Sequence, residues 1–130
     1  MAKRHDDWLW QADRDLRQAR ASAEGEFYEW ACFAAQQSAE KALKAVFQHR
    51  GAEAWGHLLT DLVAGLQAVV PNARGLEDAA KELDKHYIAP RYPNSLPKGA
   101  PGQVYTKAEA ERAIANADRI LRFCKDHISG

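Results

Sequence analysis

Arginine and histidine, which together can cleave RNA without a metal, lie close to each other at two places in the chain. Six residues separate Arg50 from His57, and four separate Arg122 from His127. A histidine can act as general acid or base near neutral pH, and a cation can stabilise the charge of a phosphate transition state. About one pair at such short spacing is expected by chance in a chain of this composition. Neither pair is therefore evidence of catalysis by itself, and Arg50 with His57 is the better candidate.

A second group of charged and aromatic residues is a candidate site for a phosphate-bearing ligand. Gln36, Glu40 and Lys44 recur at every fourth position of a predicted helix and so form one stripe on its surface. Arg91 lies in a proline-rich segment, where it projects from a constrained backbone. If that segment packs against the end of the helix, these side chains converge. The predicted ligand-binding residues are Glu40, Lys41, Lys44, His57, Arg91 and Tyr92.

Each of these residues also has a structural interpretation. The two lysines fit a solvated helical face, and Arg91 could form an internal ion pair with Glu40 or Asp61 instead of binding a ligand. His57 could bond Asp61 or a loop carbonyl. His57 and Asp61 alone are too few to hold zinc, and the chain has no glycine-rich phosphate loop or nucleophile elbow. The sequence therefore predicts neither a metal nor a cofactor.

Hydrophobic periodicity predicts five helices that would position these residues in an all-α, up-and-down bundle. The second is apolar around most of its circumference, which is typical of a central helix. Thr106 and Glu109 match a capping box at the start of the fifth. Residues 88–105 hold four of the five prolines, so we expect an ordered, non-helical loop laid over the bundle. The first four predicted helices are residues 6–23, 27–50, 57–70 and 73–87.

Length and composition favour a single domain over residues 1–130, with no need of disulfides or metal. The 18 basic and 18 acidic residues balance, so no overall field would draw the molecule to nucleic acid or an anionic membrane. Cys32 and Cys124 lie on apolar helical faces and are predicted to be buried free thiols, which suits a reducing cytoplasm. No signal peptide and no apolar run of membrane-spanning length is apparent. We therefore expect a cytoplasmic protein.

Three sequence elements occur in an order that is typical of one known family. They are AAQQSAEKALKA at positions 34–45, Gly56-His57-Leu58-Leu59, and Tyr87 followed by Arg91-Tyr92-Pro93. Together they resemble the HEPN domain over nearly the whole chain. The resemblance implies a helical bundle that is usually dimeric and, in prokaryotes, is often encoded beside a minimal nucleotidyltransferase as a toxin–antitoxin pair. For a two-fold dimer, the first two helices are the predicted seam, with Trp8 or Trp10 exposed there.

The resemblance leaves two functions open. The first is a binding or regulatory module, the HEPN partner of a nucleotidyltransferase, that binds a nucleotide or RNA and offers Tyr92 or Tyr105 as an acceptor hydroxyl. The alternative is a metal-independent endoribonuclease toxin that uses Arg50 and His57. Ribonucleases of the superfamily carry an arginine and a histidine with four to six residues between them, usually with a polar residue after the arginine. Gly51 follows Arg50 here, so the match to that pattern is incomplete.

Overall fold

The computed structural model describes residues 4–128, and within that range it is helical with no β-strand. The predicted all-α class is therefore confirmed, with six α-helices in the described range instead of five. The α-helices are α1 (Arg4–Glu24), α2 (Tyr28–His49), α3 (Leu59–Gln67), α4 (Glu77–Asp84), α5 (Pro101–Val104) and α6 (Lys107–Asp126). Two 3-10 helices, Pro71–Leu76 and Pro93–Ser95, lie on either side of α4.

The central element is α2, as its apolar circumference predicts. It packs along α1 on one side and α6 on another, and half of its residues are buried. Many of these are alanines, whose small side chains let the neighbouring helices approach closely. The hydroxyl of Ser38, which is fully buried, donates to the Ala12 carbonyl oxygen at 2.7 Å and ties α2 to α1. Because α2 is enclosed, polar side chains on it must find partners inside the protein.

Both cysteines are buried free thiols, as predicted. Burial raises the pKa of Cys32 to about 12, with a smaller contribution from the Glu109 and Glu29 carboxylates. Burial also raises the pKa of Cys124. Since the thiolate is the reactive form, neither side chain is a nucleophile near neutral pH.

The helix after α2 begins later than predicted because its first backbone N–H groups are capped by a residue from another helix. The carboxylate of Asp84, the last residue of α4, accepts from the Leu59 N–H at 2.6 Å and from the Thr60 N–H at 3.1 Å. It also accepts from the Thr60 hydroxyl at 2.8 Å. Leu58, the residue before α3, has no side chain that could cap it. The start of α3 is therefore set by a tertiary contact, which periodicity cannot predict.

The prolines do not keep residues 88–105 free of helix, so that prediction was wrong at two places. Pro93 begins a 3-10 helix and Pro101 begins α5. Proline is tolerated at the first position of a helix because the N–H that it lacks would have no partner there. Pro90 is fully buried and anchors the segment on the bundle. The capping box at the start of α6 is confirmed, since the Glu109 N–H donates to the Thr106 hydroxyl at 3.1 Å.

Candidate functional site

A buried carboxylate on α2 is the centre of the candidate site. Glu40 is only 5% exposed, and its Oε2 lies 2.9 Å from Lys44 Nζ and 2.9 Å from His57 Nδ1. Because a carboxylate only accepts, His57 carries its proton on Nδ1 and leaves Nε2 as an acceptor in the neutral ring. No partner for Nε2 is found in residues 4–128. We call Lys44, Glu40 and His57 the Glu40 cluster.

The turn from α2 to α3 brings His57 back to Glu40. Gly51 and Gly56 adopt positive φ angles of 70° and 84°, which residues with a side chain rarely adopt. The amide of Gln36, fully buried one turn before Glu40, holds the returning chain by donating to the His57 carbonyl oxygen at 3.2 Å. The four-residue spacing therefore aligns the side chains of α2, and the turn made possible by the two glycines places His57 beside Glu40.

A second cluster surrounds the guanidinium of Arg91. Its Cζ lies 4.7 Å from the ring centroid of Phe33, 4.9 Å from that of Tyr87 and 5.4 Å from that of Tyr92. Its Nε donates to the Tyr87 carbonyl oxygen at 2.9 Å. None of the ion pairs within residues 4–128 includes Arg91. We call Arg91 with its three rings the Arg91 cluster.

Tyr87, a member of the Arg91 cluster, also contacts the Glu40 cluster. Its ring stacks on that of His57 with centroids 5.2 Å apart and planes inclined by 14°, and the same ring contacts the Arg91 guanidinium. The predicted gathering of α2, the start of α3 and the proline segment is therefore observed for five of the six residues. The ring that joins them was not among the predicted ligand-binding residues, although it is part of the family resemblance. Those five residues are Glu40, Lys44, His57, Arg91 and Tyr92.

Lys41 is the predicted residue that the structure places elsewhere. Its Nζ lies 2.5 Å from Asp15 Oδ2 on α1, away from Glu40. The cause is the helical turn, since consecutive residues point about 100° apart around the axis. The interpretation of Lys41 and Lys44 as a solvated face is also wrong, because their side chains are only 26% and 15% exposed.

Two predicted bonds to Asp61 are replaced by other contacts. His57 lies before α3 and bonds Glu40, whereas Asp61 is exposed. Arg91 packs on aromatic rings and a carbonyl, and within the described residues it forms no ion pair with Glu40 or Asp61. The segment that carries Arg91 is thus held by cation–π contacts and backbone hydrogen bonding, which leaves the positive charge without a neutralising carboxylate.

The two arginine–histidine spacings do not correspond to paired side chains. No hydrogen bond, ion pair or ring contact in the described range joins Arg50, which is exposed at the end of α2, to His57. At the other spacing, Arg122 Nε pairs with Asp118 Oδ2 at 2.8 Å. His127 Nδ1 donates to the Phe123 carbonyl oxygen at 2.8 Å. His57 is therefore engaged with Glu40, not with Arg50.

The two tyrosines predicted as acceptor hydroxyls have different environments. Tyr92 is 49% exposed, as expected. Tyr105 is half-buried, and its hydroxyl lies 3.1 Å from His86 Nδ1, so the expectation of an exposed position was wrong. Burial raises the pKa of Tyr105 and lowers the pKa of His86. The contact anchors the end of the proline segment on the residues after α4.

The candidate seam residues also differ from each other. Trp10 is 62% exposed on α1, with the Arg14 guanidinium over its ring at 5.5 Å. Trp8 is half-buried, and Lys44 Nζ lies 5.9 Å from its ring centroid. Of these two candidates, Trp10 is thus the one available on the surface, whereas Trp8 packs beside the Glu40 cluster.

Two kinds of feature are not found in residues 4–128. No group of three or more His, Cys, Asp or Glu side chains is placed to hold a metal ion there. In the same range, none of the helices combines the length and the apolar character that a membrane span requires.

Comparison with known proteins gives the family. Residues 5–127 match the HEPN domain. The chain belongs to the HEPN family. A sequence relative is a proposed toxin of Methanocaldococcus jannaschii. It is 29% identical over an alignment 130 positions long, which covers 90% of this chain and 83% of the relative.

Solved HEPN structures are also similar to this chain. An archaeal HEPN homologue is 39% identical, with a TM-score of 0.82, covering 96% of this chain and 98% of that one. A HEPN domain protein from Thermotoga maritima is 43% identical, with a TM-score of 0.76, covering 92% and 95%. A protein from Thermus thermophilus is 47% identical, with a TM-score of 0.92, covering 97% and 99%.

In this HEPN domain, the Gln-x-x-x-Glu-Lys-x-x-Lys pattern of α2 divides between two faces of the helix. Gln36, Glu40 and Lys44 hold the turn that contains His57, whereas Lys41 holds α1 through Asp15. Phe33, which precedes the pattern on α2, contacts the Arg91 guanidinium. Helix α2 thus contacts three other parts of the fold, of which the pattern accounts for two.

Proposed function

We propose that this HEPN protein is one member of a toxin–antitoxin-type pair, that it acts by binding a phosphate-bearing ligand, and that its partner is a minimal nucleotidyltransferase. The similarity to a proposed toxin supports the first part of the proposal. The HEPN resemblance supports the choice of partner. The Arg91 cluster is the observation that carries the ligand-binding part.

Arg91 is the one predicted ligand-binding cation whose charge no carboxylate neutralises within the described residues. Lys44 is paired with Glu40 and Lys41 with Asp15. A guanidinium has five N–H donors, and here one of them is used, by the Tyr87 carbonyl oxygen. A phosphate that reached Arg91 would gain charge-assisted hydrogen bonds, each contributing about 1.5–3 kcal/mol. The exposed Tyr92 ring beside it offers a stacking surface for a base.

The ligand proposal is tested by titrating the protein with ATP, GTP and a short RNA while following NMR chemical shifts. We expect perturbations around Arg91 and Tyr92, and at least a tenfold loss of affinity in Arg91→Ala. Arg91→Lys, which keeps the charge but loses the planar fork, should bind with intermediate affinity. Arg122→Ala is the matched control, because Arg122 is exposed on the surface of α6 and pairs there with Asp118.

A purely structural role for Arg91 has its own signature. If millimolar ligand leaves the shifts around Arg91 unchanged and Arg91→Ala lowers stability, the residue only anchors the proline segment. The ligand-binding part of the proposal would then be wrong.

The partner proposal is tested by expression. Production of this chain alone should slow cell growth, and co-production of a nucleotidyltransferase encoded beside it should relieve the effect and yield a complex in size-exclusion chromatography. Tyr92→Phe removes the exposed acceptor hydroxyl while keeping the ring, so it should prevent covalent modification but not ligand stacking. The absence of such a neighbouring gene, or of a complex, would contradict this part.

A two-fold dimer through α1 and α2 completes the proposal. Trp10 supplies exposed apolar surface on the N-terminal half of α1, which a second copy would bury. Sedimentation should give a dimer at micromolar concentration, and Trp10→Ala should weaken it. A monomer at high micromolar concentration would contradict the proposal.

The geometry of His57 favours one alternative, a metal-independent ribonuclease. A buried carboxylate on Nδ1 fixes the tautomer and leaves Nε2 ready to accept a proton, an arrangement that serves general base catalysis. Cleavage of RNA in the presence of a chelator should then be lost in His57→Ala and reduced in Glu40→Gln. Because Arg50 has no contact with His57, Arg50→Ala should retain activity. If the metal-free protein cuts no RNA, the binding module is the better description.

A further inference from the structure

A cleft of about 590 Å³ lies between the C-terminal half of α1 and the N-terminal half of α2, and Phe33 is the one residue that it shares with the Arg91 cluster. Aromatic side chains form much of its lining, and Phe27 and Trp30 are 59% and 47% exposed. Trp30 meets the Phe33 ring edge to face, with centroids 6.2 Å apart. The ion pair of Lys41 with Asp15 also lines the cleft. An open, ring-lined space of this size suits a planar ligand.

One polar group in the cleft is oriented by a chain of hydrogen bonds. The His57 carbonyl can only accept, so Gln36 must turn its Nε2 toward it, at 3.2 Å. The Gln36 oxygen then accepts from Gln37 Nε2 at 2.7 Å. This leaves Gln37 Oε1 as a directed acceptor, and it has no partner within residues 4–128. The cleft therefore offers a fixed acceptor beside aromatic rings.

The cleft adjoins the Arg91 cluster through Phe33. The ring of Phe33 lines the cleft and also lies 4.7 Å from the Arg91 guanidinium. A ligand that has a flat ring at one end and a phosphate at the other could therefore occupy both places at once. The rings would stack on the base, and Gln37 Oε1 would accept an N–H from its edge.

We propose that this cleft is the base-binding half of the ligand site and that it recognises adenine through its exocyclic amino group. The proposal rests on the proposed function, because a phosphate bound at Arg91 would orient the ligand in the cleft. The cleft nevertheless makes its own contribution to the affinity. The amino group is the only N–H donor on the base of adenosine, so it is the group that can donate to Gln37, and a purine that lacks it has no N–H for this acceptor. A nucleoside without phosphate should therefore bind, weakly, by itself.

Calorimetric titration with adenosine and with purine riboside, which lacks only the amino group, tests the selection. We expect adenosine to bind about tenfold more tightly, the effect of one hydrogen bond. Gln37→Met keeps the length of the side chain without an acceptor of that strength, so the two nucleosides should then bind equally. Equal binding of the two by the unmodified protein would overturn the selection.

Tryptophan variants test the location. Trp30→Ala should weaken adenosine binding about ten- to a hundredfold, because one stacking ring is lost. Trp55→Ala is the matched control and should bind adenosine normally, because Trp55 is 78% exposed in the connection between α2 and α3 and does not line the cleft. Circular dichroism shows whether each variant folds. If Trp30→Ala does not fold, the comparison of the two nucleosides in Gln37→Met still tests the cleft. If Trp30→Ala instead dissociates a dimer and no nucleoside binds, the cleft is an interface between copies and the proposal is wrong.

Inorganic tripolyphosphate separates this inference from the proposed function. If it competes with ATP and loses that ability in Arg91→Ala, while adenosine does not bind, the phosphate site stands and the base cleft is wrong. If adenosine binds but tripolyphosphate does not compete and Arg91→Ala has no effect, the cleft stands and the phosphate site is wrong. Binding of neither probe would overturn both.

Discussion

The Glu40 cluster contacts the Tyr87 ring of the Arg91 cluster, but the two clusters differ in how they stabilise charge. Around Glu40, a buried carboxylate accepts from Lys44 and His57, so opposite charges meet inside the protein. Around Arg91, three rings and a carbonyl oxygen hold the guanidinium, and no carboxylate in the described range neutralises it.

The difference shows which residues are committed to the fold. A buried charge that loses its partner is strongly destabilising, so the Glu40 cluster is a set of mutually dependent groups. A cation held by ring faces keeps most of its donors for another molecule. The first arrangement is expected to dominate stability and the second to dominate binding.

The largest effect on stability is expected for Glu40→Ala. The substitution leaves the Lys44 ammonium, whose side chain is only 15% exposed, and the His57 Nδ1–H without their acceptor, which should lower the free energy of unfolding by about 3–5 kcal/mol. Glu111→Ala is the control, because Glu111 forms an exposed pair with Lys107 on α6 and should cost less than about 1 kcal/mol. Urea unfolding measures both. Similar losses in the two variants would remove the distinction between the clusters.

Removing the shared ring comes next. Tyr87→Ala takes a contact from His57 and from Arg91 at once, and we expect a loss of about 2–3 kcal/mol for this half-buried side chain. Tyr87→Phe keeps the ring, and no hydrogen bond of the Tyr87 hydroxyl is found in residues 4–128, so it should be close to neutral. Unfolding curves of the two variants give the comparison. A large effect of Tyr87→Phe would mean that the hydroxyl, not the ring, joins the clusters.

Arg91→Ala should affect stability less than either change. Cation–π contacts at a partly exposed site contribute about 0.5–2 kcal/mol, so the loss should be about 1 kcal/mol, while ligand affinity falls much more. Thermal unfolding with and without ATP separates the two quantities. A stability loss as large as that of Glu40→Ala would place Arg91 among the residues that hold the fold.

The smallest effect is expected for the pH dependence of stability that arises from His86, whose ring contacts Tyr105 at the end of the proline segment. Burial lowers the pKa of His86, so the folded protein binds a proton there less readily than the unfolded chain. Stability should therefore decrease as the pH falls below about 6.5, the ordinary histidine value, and the decrease should stop once the pH is below the lowered pKa. The carboxylates of Glu109 and Glu82 act against the shift, whereas Lys85 acts with it.

The His86 effect is measured as the change in melting temperature between pH 7 and pH 5. His86→Gln should reduce that change, and the exposed His49 supplies a control in His49→Gln, which should leave it as in the unmodified protein. An equal pH dependence in all three proteins would assign it to other groups.

The sequence predicts the parts of this structure that depend on periodicity. The apolar arc of α2 places it at the centre, the four-residue spacing aligns Glu40 with Lys44, and the capping box begins α6. These features follow from neighbouring residues along one helix.

Features that depend on distant contacts were not predictable. Nothing near Asp84 in sequence indicates that it caps α3, and nothing in the spacing of Lys41 indicates Asp15. The rings around Arg91 come from α2 and from residues after α4, so their convergence depends on the packing of the whole bundle. Aromatic residues in a helical pattern are usually core, which is why Phe33 was not predicted as part of a site.

The cap that Asp84 provides means that α3 is attached to the bundle independently of the connection that precedes it. The chain between α2 and α3 can therefore vary in length without displacing the helix, as long as Gly51, Gly56 and His57 keep their positions. Residues 51–53 are exposed, and a tag or a small folded domain inserted there should be accommodated. The same freedom makes this connection a place where related proteins can acquire new recognition segments beside the histidine without rebuilding the scaffold.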